Sequence, residues 1–310
     1  MSPELLHAQP SDIALQDVSA SDLMVVCEAK WAVGFTLDAI TAAPSESAID
    51  LTYLLSTLSG VRAALRVRVP SDAAHVPTVV PLWPQADWLE RRIRDLFGVS
   101  PDGHPHAGRL VRHSHWPKGF YPLASGATVP AEWSQKSVDT MQLTSVRGKG
   151  IHEIPVGPIH AGIIEPGHFR FFADGERIVA MEPRLFYVHR GVEALMRGAK
   201  VASGVSLAEV VSGDTPIAHV WAYCEAVESA LGIEVAEHAL AARAFLLEAE
   251  RIACHLGNLG AMLNDIAFGW AHAQCQGLRE ELLRAYSDAF GHRLLRGLVV
   301  PGGVSRRLEG

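Results

Sequence analysis

The chain has 310 residues, 48% of them hydrophobic and 20% charged, with a formal net charge of −7. That length suggests about two domains and enough chain to bury a sizeable core. The acidic balance argues against a nucleic-acid partner, which needs a basic cluster. No apolar run approaches the roughly 18–20 residues of a membrane span, and Met1–Pro10 lacks the basic start and apolar centre of a signal peptide, so a cytosolic chain able to dock on a membrane partner is expected.

Taken in chain order, residues 1–20 read as a polar, irregular terminus. Leu23–Glu28 reads as a short strand and Ser45–Leu58 as a helix with Ile49, Tyr53 and Leu54 on one side. In Val61–Val69, apolar Val61, Ala63, Leu65, Val67 and Val69 alternate with Arg62, Ala64, Arg66 and Arg68, the pattern of a strand with one buried and one wet face. Thr78–Leu82 reads as a further strand. Pro84 opens a helix that runs to Phe97, and Gly98 suits its stop. Residues 21–125 thus read as a small α+β domain, and 126–150 as a linker rich in punctuating residues. Beyond it, Phe169–Ala173 and Arg177–Met181 flank Asp174-Gly175, a hairpin signal. His219–Leu231 then reads as a helix. Glu237–Leu263 carries a stripe at Phe245, Ala249, Ile252, Leu256, Leu259 and Leu263. Leu278–Phe290 carries Leu278, Leu282, Ala285 and Ala289, with Glu280 and Arg284 as an i,i+4 pair. These stripes are expected to bury against one another as a bundle.

The four cysteines, Cys27, Cys224, Cys254 and Cys275, include no CxxC pair, so reduced, buried side chains are expected rather than a complete zinc or iron–sulfur site. His104, His106, His113 and His115 stand in a Pro- and Gly-rich loop, where polar loop residues are a better reading than metal ligands. No G-x-G-x-x-G follows a strand, so direct nicotinamide binding is weakly supported.

Two sets of motifs carry family resemblances. Trp83-Pro84-Gln85-Ala86-Asp87-Trp88-Leu89-Glu90-Arg91-Arg92-Ile93-Arg94-Asp95-Leu96-Phe97-Gly98, followed by Gly103-His104-Pro105, resembles the signature of the thirty-kilodalton subunit of respiratory complex I; Arg92 departs from it where an acid is usual. The resemblance favours Glu90, Arg91, Arg94 and Asp95 as a charged helix face that docks onto neighbouring subunits. The second set runs from Gly157-Pro158-Ile159-His160 through Glu165-Pro166-Gly167-His168. It continues with His189-Arg190-Gly191-Val192-Glu193, Ala218-His219, Glu248–Leu256 and Pro301-Gly302-Gly303-Val304. This set resembles the large subunit of group 4, membrane-bound nickel–iron hydrogenases and the forty-nine-kilodalton subunit of complex I. The order of the two parts is similar to the fused subunit of formate hydrogenlyase-type complexes. The fold implied is α+β, with the small domain followed by a hairpin-plus-helical-bundle domain over 151–310. Members of that family continue past the Pro301–Val304 motif to a second cysteine pair, so a truncated or split arrangement is expected.

In Ala208–His219 the two positions that hold the first cysteine pair of those hydrogenases are Ser212 and Thr215. Thiolates hold such metals and a hydroxyl is a poor neutral substitute, so no nickel–iron centre is expected. The local alternative for Ser212–Thr215 is a helix N-terminus capped by Asp214 or Thr215. The resemblance makes Glu165 a proton-relay candidate and His168 a quinone-headgroup candidate; His titrates near neutral pH and quinone reduction takes up two protons. The quinone-pairing tyrosine of complex I falls near Gly213, which leaves Asp214 and His219 as polar candidates for a rebuilt cleft, with His168, Ser212 and Thr215 lining it. His160, His189 and His255 read as structural.

The family resemblance thus implies a subunit on the cytoplasmic side of a membrane-associated NADH:quinone oxidoreductase-like or hydrogenase-related complex. Its partners would be an iron–sulfur small subunit like the twenty-kilodalton one of complex I, which carries the clusters, and membrane antiporter-like and quinone-channel subunits. A quinone is the cofactor to test. A non-catalytic assembly subunit is the rival reading; an active nickel–iron hydrogenase is third. An inherited "NAD" label would not establish nucleotide binding.

Overall fold

The computed structural model describes residues 13–106, 108–113, 116–128, 146–159, 165–184 and 187–306. These divide into two compact units, Ile13–Arg190 and a second that begins at Gly191.

The first unit opens with β1 (Ala14–Val18), α1 (Leu23–Ala32), β2 (Thr36–Pro44), β3 (Ala48–Ser56) and β4 (Arg62–Pro70). The sheet order is β1-β4-β3-β2, with β1 parallel to β4 and the other pairs antiparallel. Three sequence expectations change here. Residues 14–18, read as irregular, form an edge strand. Leu23–Glu28 lies in a helix: its buried residues, Leu23 and Cys27, are one helical turn apart, and the Val25-Val26 pair gave a misleading strand signal. Ser45–Leu58 contains strand β3 rather than a helix. Ile49, Leu51, Tyr53 and Leu55 are buried at every second position, so period two wins over the i,i+4 spacing read from the sequence. On β4, Leu65, Val67 and Val69 are buried while Arg62 and Arg68 are exposed, and Ala64 is buried as well.

β5 (His75–Pro77) pairs in parallel with β6 (Ser100–Asp102). Residues 78–82, expected as a strand, turn instead towards α2 (Ala86–Phe97). Gly98 ends α2 in the left-handed region at φ 86°, where glycine carries no Cβ penalty. A Cβ there would lie 2.9 Å from the Tyr121 ring.

The charged residues of α2 do not form the docking face expected. Glu90 and Asp95 are buried. Glu90 accepts hydrogen bonds from Thr78 Oγ1 (2.6 Å) and the Val79 amide (2.7 Å). Asp95 Oδ2 accepts from the amides of Leu110, Val111 and Arg112. Arg91 donates to the carbonyls of Gly108 and Arg109, and Arg94 to that of Gly108. These side chains satisfy turning backbone, whose buried polar groups must be paired. His104 is buried beside Glu90 at 3.7 Å, and His106 pairs with Asp87; His115 lies outside the described residues.

The unit continues with β7 (Ile151–Val156), β8 (His168–Asp174) and β9 (Arg177–Arg184), an antiparallel meander in which Gly175 turns the expected hairpin at φ 60°. Buried Arg170 on the central strand ties both neighbours, to Glu153 at 2.6 Å and Glu182 at 2.7 Å.

The second unit is helical: α3 (Val192–Met196), α4 (Val201–Ala208), α5 (Pro216–Leu231), α6 (Glu237–Asp265) and α7 (Gly269–Phe290), followed by the short pair β10 (Val299–Val300) and β11 (Gly303–Val304). Helices are where the sequence places them, but the stripes do not bury against one another. Phe245, Ile252 and Leu259 on α6 and Leu278 on α7 are exposed. The buried residues of α6 include Ala239, Arg243, Leu246, Ala249, Glu250, Ala253 and Gly260. Small residues let α7 approach closely, and Gly260 leaves no room for a Cβ beside Cys275 and Gln276.

Candidate functional site

The turn Ser212–Thr215 delivers the chain into α5. Thr215 is the N-cap residue, yet its hydroxyl makes no capping bond, and Pro216 occupies the first turn. Neither side chain expected to cap the helix does so. Instead, Glu250 reaches from α6: its carboxylate accepts the amide of Ile217 at 2.6 Å and of Ala218 at 3.2 Å. An acid from a neighbouring helix thus satisfies two of the amides that every helix start leaves open and sits at the positive end of its dipole. Glu250 is 5% exposed. Burial raises its pKa above the ordinary carboxylate value, and the two backbone hydrogen bonds offset part of that rise.

Thr215 is engaged by His219, one turn on. His219 Nδ1 lies 2.8 Å from the Thr215 carbonyl and 3.2 Å from its hydroxyl. A carbonyl only accepts, so Nδ1 carries the proton and Nε2 is the acceptor of the neutral ring. Asp214 is exposed. Its carbonyl accepts the Cys254 thiol at 3.1 Å, and its carboxylate lies 3.8 Å from the Arg279 guanidinium. Burial raises the Cys254 pKa, with the Glu250 and Asp214 charges acting in the same direction, so the thiol is held protonated. Asp214, Glu250, Cys254, Arg279, Tyr286 and Arg293 share one small pocket. Its cavity of about 10 Å³ is at the lower limit for a single water, and no quinone ring fits it.

His168 opens β8, and its Nδ1 donates to the Gly157 carbonyl at 3.1 Å, closing the loop between β7 and β8. Glu165 is exposed in that loop. His160 lies outside the described residues. His189 and His255 are exposed rather than packed inside; desolvation and the Arg92 charge lower the His189 pKa. The structure therefore gathers Thr215 with His219, and Asp214 with Glu250, Cys254 and Arg279, while Glu165 and His168 belong to the other compact unit.

The donor set does not suit a nickel–iron centre. Ser212 and Thr215 offer hydroxyls where thiolates are needed, the nearby thiol of Cys254 is turned to a carbonyl, and among the described residues no group of three or more His, Cys, Asp and Glu side chains is placed to hold a metal ion. These residues do not fit a nickel–iron centre. Glu250 stands inside the Glu248–Leu256 motif without an assigned role, and Arg279 stands in none of the motifs. The further signal for Glu250 was an acid four residues after Leu246 on the buried face of α6, a position that demands a partner.

Residues 14–131 match the family described as "Respiratory-chain NADH dehydrogenase, 30 Kd subunit". These residues form a domain similar to that family. The match takes in the Trp83–Gly98 signature; the remainder of the chain finds its counterpart in longer relatives. The chain is 37% identical over 265 residues to formate hydrogenlyase subunit 5 of Escherichia coli, covering 83% of this chain and 46% of that protein. It is 39% identical over 245 residues to hydrogenase-4 component G of the same organism, covering 78% and 44%. To the C/D subunit of the NADH-quinone oxidoreductase of Bacteroides thetaiotaomicron it is 26% identical over 274 residues, covering 83% and 52%. The chain spans about half the length of these homologues, which are named as subunits of complex I-like and hydrogenase-related assemblies. Among the described residues, no helix is long and apolar enough to cross a membrane.

Proposed function

We propose that this chain is a peripheral subunit of a membrane-associated respiratory electron-transfer complex, and that its α5 turn handles protons where hydrogenases hold a metal. The observation that carries this is the replacement of the thiolate positions by Ser212 and Thr215 in a chain homologous to hydrogenase subunits, with acid, imidazole and guanidinium groups gathered around the same turn. Asp214 is the solvent-side group, Glu250 the inner acid and His219 Nε2 the imidazole acceptor. Electrons arrive on iron–sulfur clusters of a small partner subunit like the twenty-kilodalton one of complex I. Membrane antiporter-like and quinone-channel subunits hold the quinone, and Glu165 with His168 forms a second proton-handling loop.

The test uses the assembled complex. Asp214→Asn is expected to slow quinone-linked turnover by roughly hundred- to ten-thousand-fold, the range of one lost acid–base group, without changing subunit stoichiometry; metal analysis is expected to find no stoichiometric nickel on this subunit. Unchanged turnover after Glu165, His168 and Asp214 are neutralised together supports the assembly-only reading instead. Stoichiometric nickel overturns both.

A further inference from the structure

Three side chains of α7 stand seven residues apart, and each donates to a carbonyl of α6. His272 Nδ1 lies 2.8 Å from the Gly260 carbonyl, Arg279 Nε 3.2 Å from that of Ala253 and Tyr286 Oη 2.8 Å from that of Ala249. The seven-residue interval keeps all three on one face of α7. Their acceptors fall along α6 as they rise along α7, so the two helices run antiparallel. A carbonyl inside a helix accepts one amide and keeps a second lone pair, and these bonds take it up.

Tyr286 spends its single donor on this bond. Arg279 does not. A guanidinium carries five N–H donors, and Nε alone is given to Ala253. The far end of the group reaches past the seam, and Nη2 lies 3.8 Å from Asp214 Oδ1. The Arg279 side chain is 24% exposed and that of Asp214 55%, so the pair stands at the rim of the pocket that both share with buried Glu250.

The arm passes over Gly257, one turn along α6 from Ala253. A Cβ there would lie 3.1 Å from Arg279 Nε and 3.3 Å from its Cδ. Gly257 sits inside α6, where alanine suits the backbone better than glycine. Its use at this point is therefore room for the arm rather than backbone freedom. The turn is held from α6 as well, since the Cys254 thiol donates to the Asp214 carbonyl at 3.1 Å. Asp214 is thus engaged at its main chain by α6 and at its carboxylate by α7.

We propose that Arg279 is the positioning residue of this turn: clamped to Ala253 in the space that Gly257 leaves, it holds the Asp214 carboxylate at the rim of the pocket. Its bearing on turnover rests on the reading of Asp214 as a proton-handling group. The clamp itself is tested apart from turnover.

Two substitutions disturb the arm and keep its charge. Gly257→Ala sets a Cβ against it, and Arg279→Lys puts a single nitrogen in place of the rigid fork. Gly257→Ala is the sharper of the two, because it favours the helix: the unfolding temperature of the full chain is expected to hold or rise while the arm is displaced. Labelling of Cys254 by iodoacetamide on the full chain, located by mass spectrometry, reports whether the turn stays in place, since the Asp214 carbonyl is the thiol's acceptor. Both variants are expected to speed that labelling by at least about three-fold, the loss of one weak hydrogen bond. In the assembled complex both are expected to lower kcat by about three- to ten-fold, within the range for a misplaced reacting group, with the quinone KM unchanged. Neither is expected to lower kcat further once Asp214→Asn is present, because Arg279 acts through Asp214.

Unchanged labelling in both variants overturns the proposal, whatever turnover does. So does a loss of kcat that is equally large with and without the Asp214 carboxylate, which would make Arg279 act on its own. Faster labelling in a complex whose turnover is indifferent to Asp214→Asn upholds the clamp and overturns the proton-handling reading.

Discussion

Arg243 has no exposed surface, and every direction its guanidinium points is answered. It donates to Glu228 at 2.6 and 3.1 Å, to the Val300 carbonyl at 2.8 Å and to the Gly303 carbonyl at 3.1 Å. Glu228 also accepts the Gly302 amide at 2.7 Å. One planar fork therefore joins α5, α6 and the β10–β11 turn, which gives the Pro301–Val304 motif a structural reason: Gly302, at φ 86°, brings its amide up to the carboxylate. Such a pair costs several kcal/mol to desolvate, so its presence adds little net stability while its disruption is severe. Glu228→Ala is expected to destabilise the chain by about 3–5 kcal/mol, read from the urea midpoint. The double variant Glu228→Leu, Arg243→Met is expected to recover most of that loss. A single variant costing under about 1 kcal/mol would place the pair in the class of weak surface bridges.

At the scale of elements, Glu280 holds the C-terminal half of α7 to the segment behind it. Its carboxylate meets Arg293 at 2.7 and 3.0 Å and Arg284, one turn along, at 2.8 Å. Hydrogen bonds from Arg293 and then Arg284 hold its pKa down to about 2. Because the folded pKa lies below the unfolded value, the stabilisation is present above about pH 4.5 and is lost as pH falls towards 2. Glu280→Gln is expected to flatten that acid limb of the stability curve and to leave its slope above pH 6 unchanged, which urea titrations between pH 2.5 and 7 would show. The Glu280–Arg284 spacing was legible in the sequence, and Arg293 was not, because thirteen residues and a turn separate it from the helix. The same contrast runs through the fold. Helices with caps and long stripes were readable: α2 with its Gly98 stop, α5, α6 and α7. Elements whose faces are set by tertiary burial were not: α1 mimicked a strand with two adjacent valines, and β3 mimicked a helix because Ile49 and Tyr53 satisfy both periods. In the candidate site, the Ser212–Thr215 turn and His219 were visible as a motif. Glu250 stood in the Glu248–Leu256 motif without a role and Arg279 stood in none, since their meaning comes from which helix lies beside the turn.

At the scale of the whole chain, the two units are built on separate cores. One gathers side chains between Leu23 and Leu123, the other between Ala208 and Val299, and among the described residues no buried side chain belongs to both. The buried charges divide in the same way, Glu90, Asp95, Arg112 and Arg170 in the first, Glu209, Glu228, Arg243 and Glu250 in the second. Each unit falls in the size range of about 50–200 residues in which a single core is self-sufficient, so cooperativity should follow the units rather than the chain. Calorimetry is expected to resolve two transitions. Glu228→Ala should move only one of them, by at least about 5 °C given the loss of its buried partner. Gly98→Ala should move only the other, because a Cβ at φ 86° meets the Tyr121 ring. A single transition that both substitutions shift equally would mean that the units unfold as one body, and that the separate cores stop short of separate cooperativity.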